Sequence, residues 1–107
     1  MQPFTERVLK IILSIPKGRV MSYGQIAGCA GNPRAARQVV RVLYTLSDKY
    51  SLPWHRVVNA KGEIVIKEDN NKKTQRDLLE AEGVTVINNR IPLQKYNYYP
   101  TFTFEEY

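Results

Sequence analysis

The chain has 107 residues, 43% hydrophobic and 24% charged, the composition of one globular domain with a single modest core. One cysteine (Cys29) and one histidine (His55) exclude an intramolecular disulfide and a metal site of ordinary ligand count, and no cofactor is expected. No apolar run approaches the roughly 20 residues of a membrane-spanning helix, and residues 1–7 lack the layout of a signal peptide. The expectation is a chain that is not secreted and meets no membrane, cytoplasmic or nucleoid-associated in a prokaryote and nuclear in a eukaryote.

Phe4, Val8, Ile11, Ile12 and Ile15 share one helical face, so an amphipathic helix is predicted up to Pro16-Lys17-Gly18. Ser22-Tyr23-Gly24-Gln25 fits a capping box, with Met21 and Ile26 placed as a hydrophobic staple, and predicts a helix from Ser22 to Ala30 stopped by Gly31. Asn32-Pro33 reads as N-cap and first-turn proline of another helix, running from Pro33 to Leu46. Its predicted buried stripe is Ala36, Val39, Val40, Leu43 and Leu46, while Arg34, Arg37, Gln38 and Arg41 occupy the opposite face. Two helices joined by Gly-Asn-Pro, the second bearing arginines, predict a helix-turn-helix.

Further on, Val57-Val58, the turn Asn59–Gly62 and Glu63–Ile66 predict a β-hairpin. Lys67 to Lys73 is read as a polar loop, and Thr74 as the cap of a helix reaching Glu82, with Gly83 as its stop. Val84–Ile87, Asn88-Asn89 and Ile91–Tyr96 suggest a second short hairpin. The aromatic tail 97–107 either packs on the domain or frays. The fold class is therefore mainly α with small β-hairpins, built around a winged-helix-like helix-turn-helix, as one domain over 1–107.

The net charge of +6 is unevenly divided. Residues 1–62 hold ten Lys/Arg against two Asp/Glu, whereas residues 63–107 hold six against eight. A basic N-terminal part suits a face that binds a polyanion, and charge alone equally fits a solvated surface.

Three blocks give the chain a sharper reading: 15–24 (Ile-Pro-Lys-Gly-Arg-Val-Met-Ser-Tyr-Gly), 30–39 (Ala-Gly-Asn-Pro-Arg-Ala-Ala-Arg-Gln-Val) and 52–59 (Leu-Pro-Trp-His-Arg-Val-Val-Asn). In this order and spacing they resemble the catalytic domain of the O6-alkylguanine-DNA alkyltransferases, and the Leu-Leu-Glu-Ala-Glu-Gly-Val stretch at 78–84 is similar to that family's C-terminal helix. Pro53-Trp54-His55-Arg56-Val57 resembles the family's Pro-Cys-His-Arg-Val motif, with tryptophan in the position of the alkyl-accepting cysteine. Dealkylation of a guanine oxygen needs a strong nucleophile such as a thiolate, and an indole offers only an N–H donor. The chain thus looks like the alkyltransferase-like proteins, which have the lesion pocket without its chemistry.

That resemblance implies minor-groove binding by the helix-turn-helix and rotation of the damaged nucleotide into a pocket. By position, Arg37 corresponds to the arginine that fills the gap left in the stack, Tyr23 to the tyrosine that crowds the phosphate beside the lesion, and Arg34, Gln38 and Arg41 to further DNA contacts. Tyr23, Pro53, Trp54 and His55 would form the lesion pocket, and Lys67 would approach it from a loop. His55 has no thiol to serve, so a structural role is expected for it. Val40 stands where many relatives have glycine, and a polar loop at 66–71 replaces the enzymes' short pocket loop, which suggests room for alkyl groups larger than methyl.

The expected function is non-enzymatic recognition of O6-alkylguanine in double-stranded DNA by a monomer, which marks the lesion for nucleotide excision repair proteins. Two alternatives differ in class: a helix-turn-helix transcription regulator indifferent to alkylation, and a residual alkyltransferase using Cys29 as acceptor.

Overall fold

Helix α1 (Pro3–Ser14) buries Val8, Leu9, Ile11 and Ile12, the stripe its apolar spacing predicts. These coordinates are a computed structural model that describes residues 2–64 and 69–100, the side chains of 69–73 excepted. After α1 come β1 (Met21–Ser22), α2 (Tyr23–Cys29), α3 (Ala36–Tyr50), a 3-10 turn (Trp54–Arg56), β2 (Val57–Val58), α4 (Asp69–Ala81) and α5 (Leu93–Tyr96). Helices α1, α2 and α3 pack on one another around a main core of Val8, Ile11, Ile12, Met21, Ile26, Val39 and Val57. A second cluster, with Val20, Val58, Leu79, Val84 and Ile91, lies beyond the strands.

β1 and β2 form a parallel pair in the register Met21↔Val57 and Ser22↔Val58. Side chains alternate along a strand, so Met21 and Val57 enter the main core while Val20 and Val58 enter the second. The pair is the seam between the two clusters.

This pairing replaces the expected hairpin after Val57-Val58. The turn itself forms: Asn59 Oδ1 accepts from the Lys61 and Glu63 backbone N–H groups (2.9 and 2.8 Å), and Asn59 N–H reaches the Glu63 carbonyl (3.2 Å). The chain then leaves for residues 89–91, with Ile64 N–H donating to Asn89 O and Ile91 N–H to Gly62 O, each at 2.9 Å. Val65 and Ile66, the rest of the expected strand, lie outside the described residues. Gly62 has φ of +79°, and a Cβ there would collide with the Ile91 carbonyl, so only glycine allows this crossing.

The second expected hairpin is half present. Asn88 and Asn89 adopt φ of 51° and 59°, the left-handed pair that a tight two-residue turn requires, and Ile87 and Arg90 exchange both backbone bonds. Beyond Pro92 the chain is helical as α5, because no partner strand faces Leu93–Tyr96 among the described residues.

Two helix starts depart from expectation, and a third keeps half of its expected capping box. Ser22 caps α2 by accepting from Gln25 N–H (3.1 Å), but the Gln25 side chain does not return to Ser22. It bonds instead to the Tyr98 carbonyl (2.6 Å) and to Asn97 Nδ2 (2.9 Å). Tyr98 N–H also donates to Val20 O at 2.8 Å, so residues 97–98 of the tail are fastened to the domain, while 101–107 lie outside the described residues. Asn32 does not cap α3 directly. Its side chain accepts from Arg34 N–H (3.1 Å) in a local turn, and the helix starts at Ala36 and runs on to Tyr50. Helix α4 begins at Asp69, so Asp69–Lys73 is helix rather than loop and Thr74 is interior: asparagine lowers helix propensity without breaking a helix, and lysine is a good helix former.

Candidate nucleic-acid interface

Helix α3 carries the basic face. Arg34, in the turn before it, and Arg37, Gln38 and Arg41 within it are all exposed, as the sequence predicts. Ala35, Val39 and Val42 are the buried anchors, with Val40 and Leu43 half-buried beside them. The stripe is rotated slightly from the expected one, with Val42 buried although it was not expected to be. α2 is held against α1 by Arg7, whose Nε donates to the Ala30 carbonyl at the end of α2 (2.7 Å).

Below the exposed face lies a cleft of about 410 Å³ lined by Tyr23 from α2, Val40, Leu43 and Tyr44 from α3, Trp54, and Gln75 from α4. Its size falls in the range of small-molecule pockets, about 300–1,000 Å³. Burial and then the neighbouring Tyr44 phenol raise the Tyr23 pKa, so its hydroxyl remains neutral and able to donate. A wider hollow of about 620 Å³ lies on the other side of Trp54, bordered by Leu13, Pro53, His55 and Arg56. Trp54, Ser47 and Asp48 border both.

The structure therefore divides the residues expected to form one pocket. Tyr23 and Trp54 meet in the cleft, whereas Pro53 and His55 line the hollow behind it. The His55 ring meets Trp54 edge-on, with centroids 6.1 Å apart and planes at 86°. Lys67 lies outside the described residues.

Behind the tryptophan is an ion cluster centred on Glu82. Its carboxylate accepts from Arg56 Nη2 (2.6 Å) and Nε (3.0 Å), from His55 Nε2 (2.8 Å) and from Gly18 N–H (3.1 Å). Arg56 also donates to the Ile15 carbonyl at the end of α1 (2.9 Å). Burial disfavours the charged carboxylate, but the hydrogen bonds from Arg56, His55 and Gly18 outweigh it and bring the Glu82 pKa from 4.5 down to about 2. An ionised partner requires His55 Nε2 to carry the hydrogen. Glu82 is placed by the end of α4, where Gly83 (φ +88°) and Val84 close the helix with bonds to Glu80 O and Leu79 O. This cluster ties the end of α1, the 3-10 turn and the end of α4 together beside Trp54.

Sequence reasoning missed Tyr44 and Gln75. Tyr44 is 73% exposed at the mouth of the cleft, and its seven-residue spacing from Arg37 puts it on the same helix face, a signal present in the sequence. Gln75 is 2% exposed, and its Nε2 donates to the carbonyls of His55 and Val57, each at 3.1 Å. Its place could not be read without knowing that α4 packs on the 3-10 turn. Among the described residues no group of three or more metal-ligating side chains exists.

Residues 3–84 match the model of the 6-O-methylguanine DNA methyltransferase DNA-binding domain. The chain belongs to that family. Among its relatives is the DNA base-flipping protein of Escherichia coli, 47% identical over 96 residues, which cover 89% of this chain and 74% of the relative. Alkyltransferase-like protein 1 of Schizosaccharomyces pombe is 36% identical over 98 residues, 91% of each chain. The crystal structure of that yeast protein with damaged DNA containing O6-carboxymethylguanine superposes with a TM-score of 0.83 at 34% identity, over 94% of this chain and 98% of that one. The O6-methylguanine methyltransferase of Mycobacterium tuberculosis superposes with a TM-score of 0.61 at 33% identity, covering 86% of this chain and 52% of the enzyme. The mainly helical fold is shared with both of these solved structures. In this member of the family, no helix among the described residues is long and apolar enough to cross a membrane.

Proposed function

We propose that this protein binds double-stranded DNA containing O6-alkylguanine without acting as an enzyme, turning the damaged nucleotide into the cleft beside Trp54. The single observation that carries the reading is the Trp54 indole lining the cleft, in a Pro-Trp-His-Arg-Val stretch that resembles the enzymes' Pro-Cys-His-Arg-Val motif. The resemblance to proteins named for base flipping, and to one crystallised on alkylated DNA, supports the same reading. Exposed Arg34, Arg37, Gln38 and Arg41 meet the DNA backbone and groove, with Arg37 filling the gap in the stack. Tyr23 crowds the phosphate next to the lesion, and Trp54 offers the flipped base an apolar face.

The cleft holds no activated nucleophile among the described residues. Thr45 and Ser47 donate their hydroxyls to carbonyls of their own helix, and His55 is engaged by Glu82 behind the indole. Cys29 sits half-buried against the main core and is not part of the cleft lining. In this reading the protein is a single-domain monomer that marks the lesion for nucleotide excision repair proteins, as its resemblance to the alkyltransferase-like proteins implies.

Intact-mass measurement after incubation with an O6-methylguanine duplex tests the non-enzymatic part. The expected mass is unchanged while the complex forms. Gain of one methyl group, on Cys29 or elsewhere, would contradict it.

A further inference from the structure

Gln75 is buried at 2% exposure on α4, where it lines the cleft, and it is the buried polar side chain of the described structure. Both hydrogen bonds of its Nε2 go to backbone carbonyls, those of His55 and Val57. These bonds fix the amide orientation, because exchanging oxygen and nitrogen would set Oε1 against two carbonyl oxygens. Oε1 is thereby left as an acceptor with no hydrogen-bond partner among the described residues. Leaving a buried acceptor unpaired is costly, so this oxygen beside the cleft calls for a donor that the described residues do not supply.

We propose that Gln75 Oε1 accepts a hydrogen bond from the exocyclic 2-amino group of the purine held in the cleft, making Gln75 a specificity-determining residue. The proposal rests on the lesion-binding reading above. Its chemical basis is the donor pattern of the alkylated base. Alkylation at O6 fixes the ring in the form whose N1 has no hydrogen, so N1, N3, N7 and O6 are all acceptors or blocked. The 2-amino group is then the only N–H donor that the base carries, and an acceptor in the cleft has no other group to pair with. The same arrangement penalises an alkylated purine that lacks the amine, because Oε1 would stay buried and unpaired in the complex.

The experiment titrates the full chain with four duplexes that differ at one position: guanine, O6-methylguanine, hypoxanthine and O6-methylhypoxanthine. Wild type is compared with Gln75→Leu and with Gln75→Lys, which keeps N–H donors for the two carbonyls but has no acceptor. Removing the 2-amino group from the methylated base is expected to weaken wild-type binding about tenfold, the effect of one neutral hydrogen bond. In the variants the same removal is expected to change binding by less than about twofold. Equal wild-type affinity for the two methylated duplexes overturns the proposal, as does a variant that loses the same factor as wild type. If Gln75→Leu fails to fold, Gln75→Lys and the wild-type comparison decide, and the latter needs no variant. Failure of wild type to prefer O6-methylguanine over guanine would instead overturn the lesion-binding reading itself.

Discussion

Replacing Glu82 by glutamine tests whether the ion cluster behind Trp54 holds the site in place. The carboxylate accepts from Arg56, His55 and the Gly18 backbone at 2.6–3.1 Å, and its side chain and those of Arg56 and His55 are only 12% exposed. Glu82→Gln keeps the shape but removes the charge and turns an N–H₂ group toward N–H donors, leaving the Arg56 cation unpaired in a poorly solvated place. Breaking a buried pair by removing one partner costs about 3–5 kcal/mol, and the residual exposure here argues for the lower end, about 3 kcal/mol. At about 4–8 °C per kcal/mol for a domain near this size, the melting temperature should fall by about 12–24 °C. Far-UV circular dichroism melts of the two proteins at neutral pH measure this.

A pH series adds an independent readout. Because the Glu82 pKa is depressed from 4.5 to about 2, its contribution is fully present above 4.5 and is lost as pH falls through about 2. The shift corresponds to at most about 3 kcal/mol, and about 1–2 kcal/mol after discounting for solvent screening. The stability gap between wild type and Glu82→Gln should therefore narrow between pH 4.5 and pH 2. A loss below about 1 kcal/mol at neutral pH, or a gap that stays constant through acid, would refute the reasoning.

Other perturbations probe separate parts of the account. Gly62→Ala should destabilise the fold by about 2–3 kcal/mol in a chemical denaturation, because its positive φ and the Ile91 carbonyl leave no space for a methyl group. Arg34→Ala and Arg41→Ala should each flatten the log–log dependence of DNA affinity on salt by about 0.9, with damaged and undamaged duplexes affected alike. Arg37→Ala should weaken binding to an O6-methylguanine duplex at least about tenfold, the loss of a charged hydrogen-bonded contact, and affect the undamaged duplex less. Tyr44→Ala should reduce lesion affinity about fivefold or more through lost stacking at the cleft mouth, while Tyr44→Phe retains it, both read by fluorescence anisotropy.

Much of this architecture is written in local sequence patterns. The end of α1 at Pro16, the Ser22 cap, the exposed arginines of α3 and the Gly83 stop all follow from side-chain chemistry within a few residues. What local patterns could not supply is partner choice. Val57-Val58 reads as a strand, yet nothing nearby says that it pairs in parallel with Met21-Ser22, some 35 residues earlier in the chain. Gln25 was expected to close its own capping box, and residues 97–98, more than 70 positions away, compete for its amide. The site followed the same division. Tyr23 and Trp54 line one cleft, while Pro53 and His55 line the hollow that Trp54 also borders, an arrangement their motif does not spell out. Gln75 and Glu82 reach the site only because α4 packs on that turn, which the pattern of α4 alone does not reveal.

The central claim is that an alkylated guanine is held against the indole of Trp54, the only tryptophan in the chain. The most direct measurement is a titration of its fluorescence with two duplexes identical except for one O6-methylguanine. The account predicts a large change in emission and clearly tighter binding for the damaged duplex, persisting as salt weakens binding to the undamaged one. Equal binding to both, abolished by salt and without a specific change in the indole signal, would contradict it.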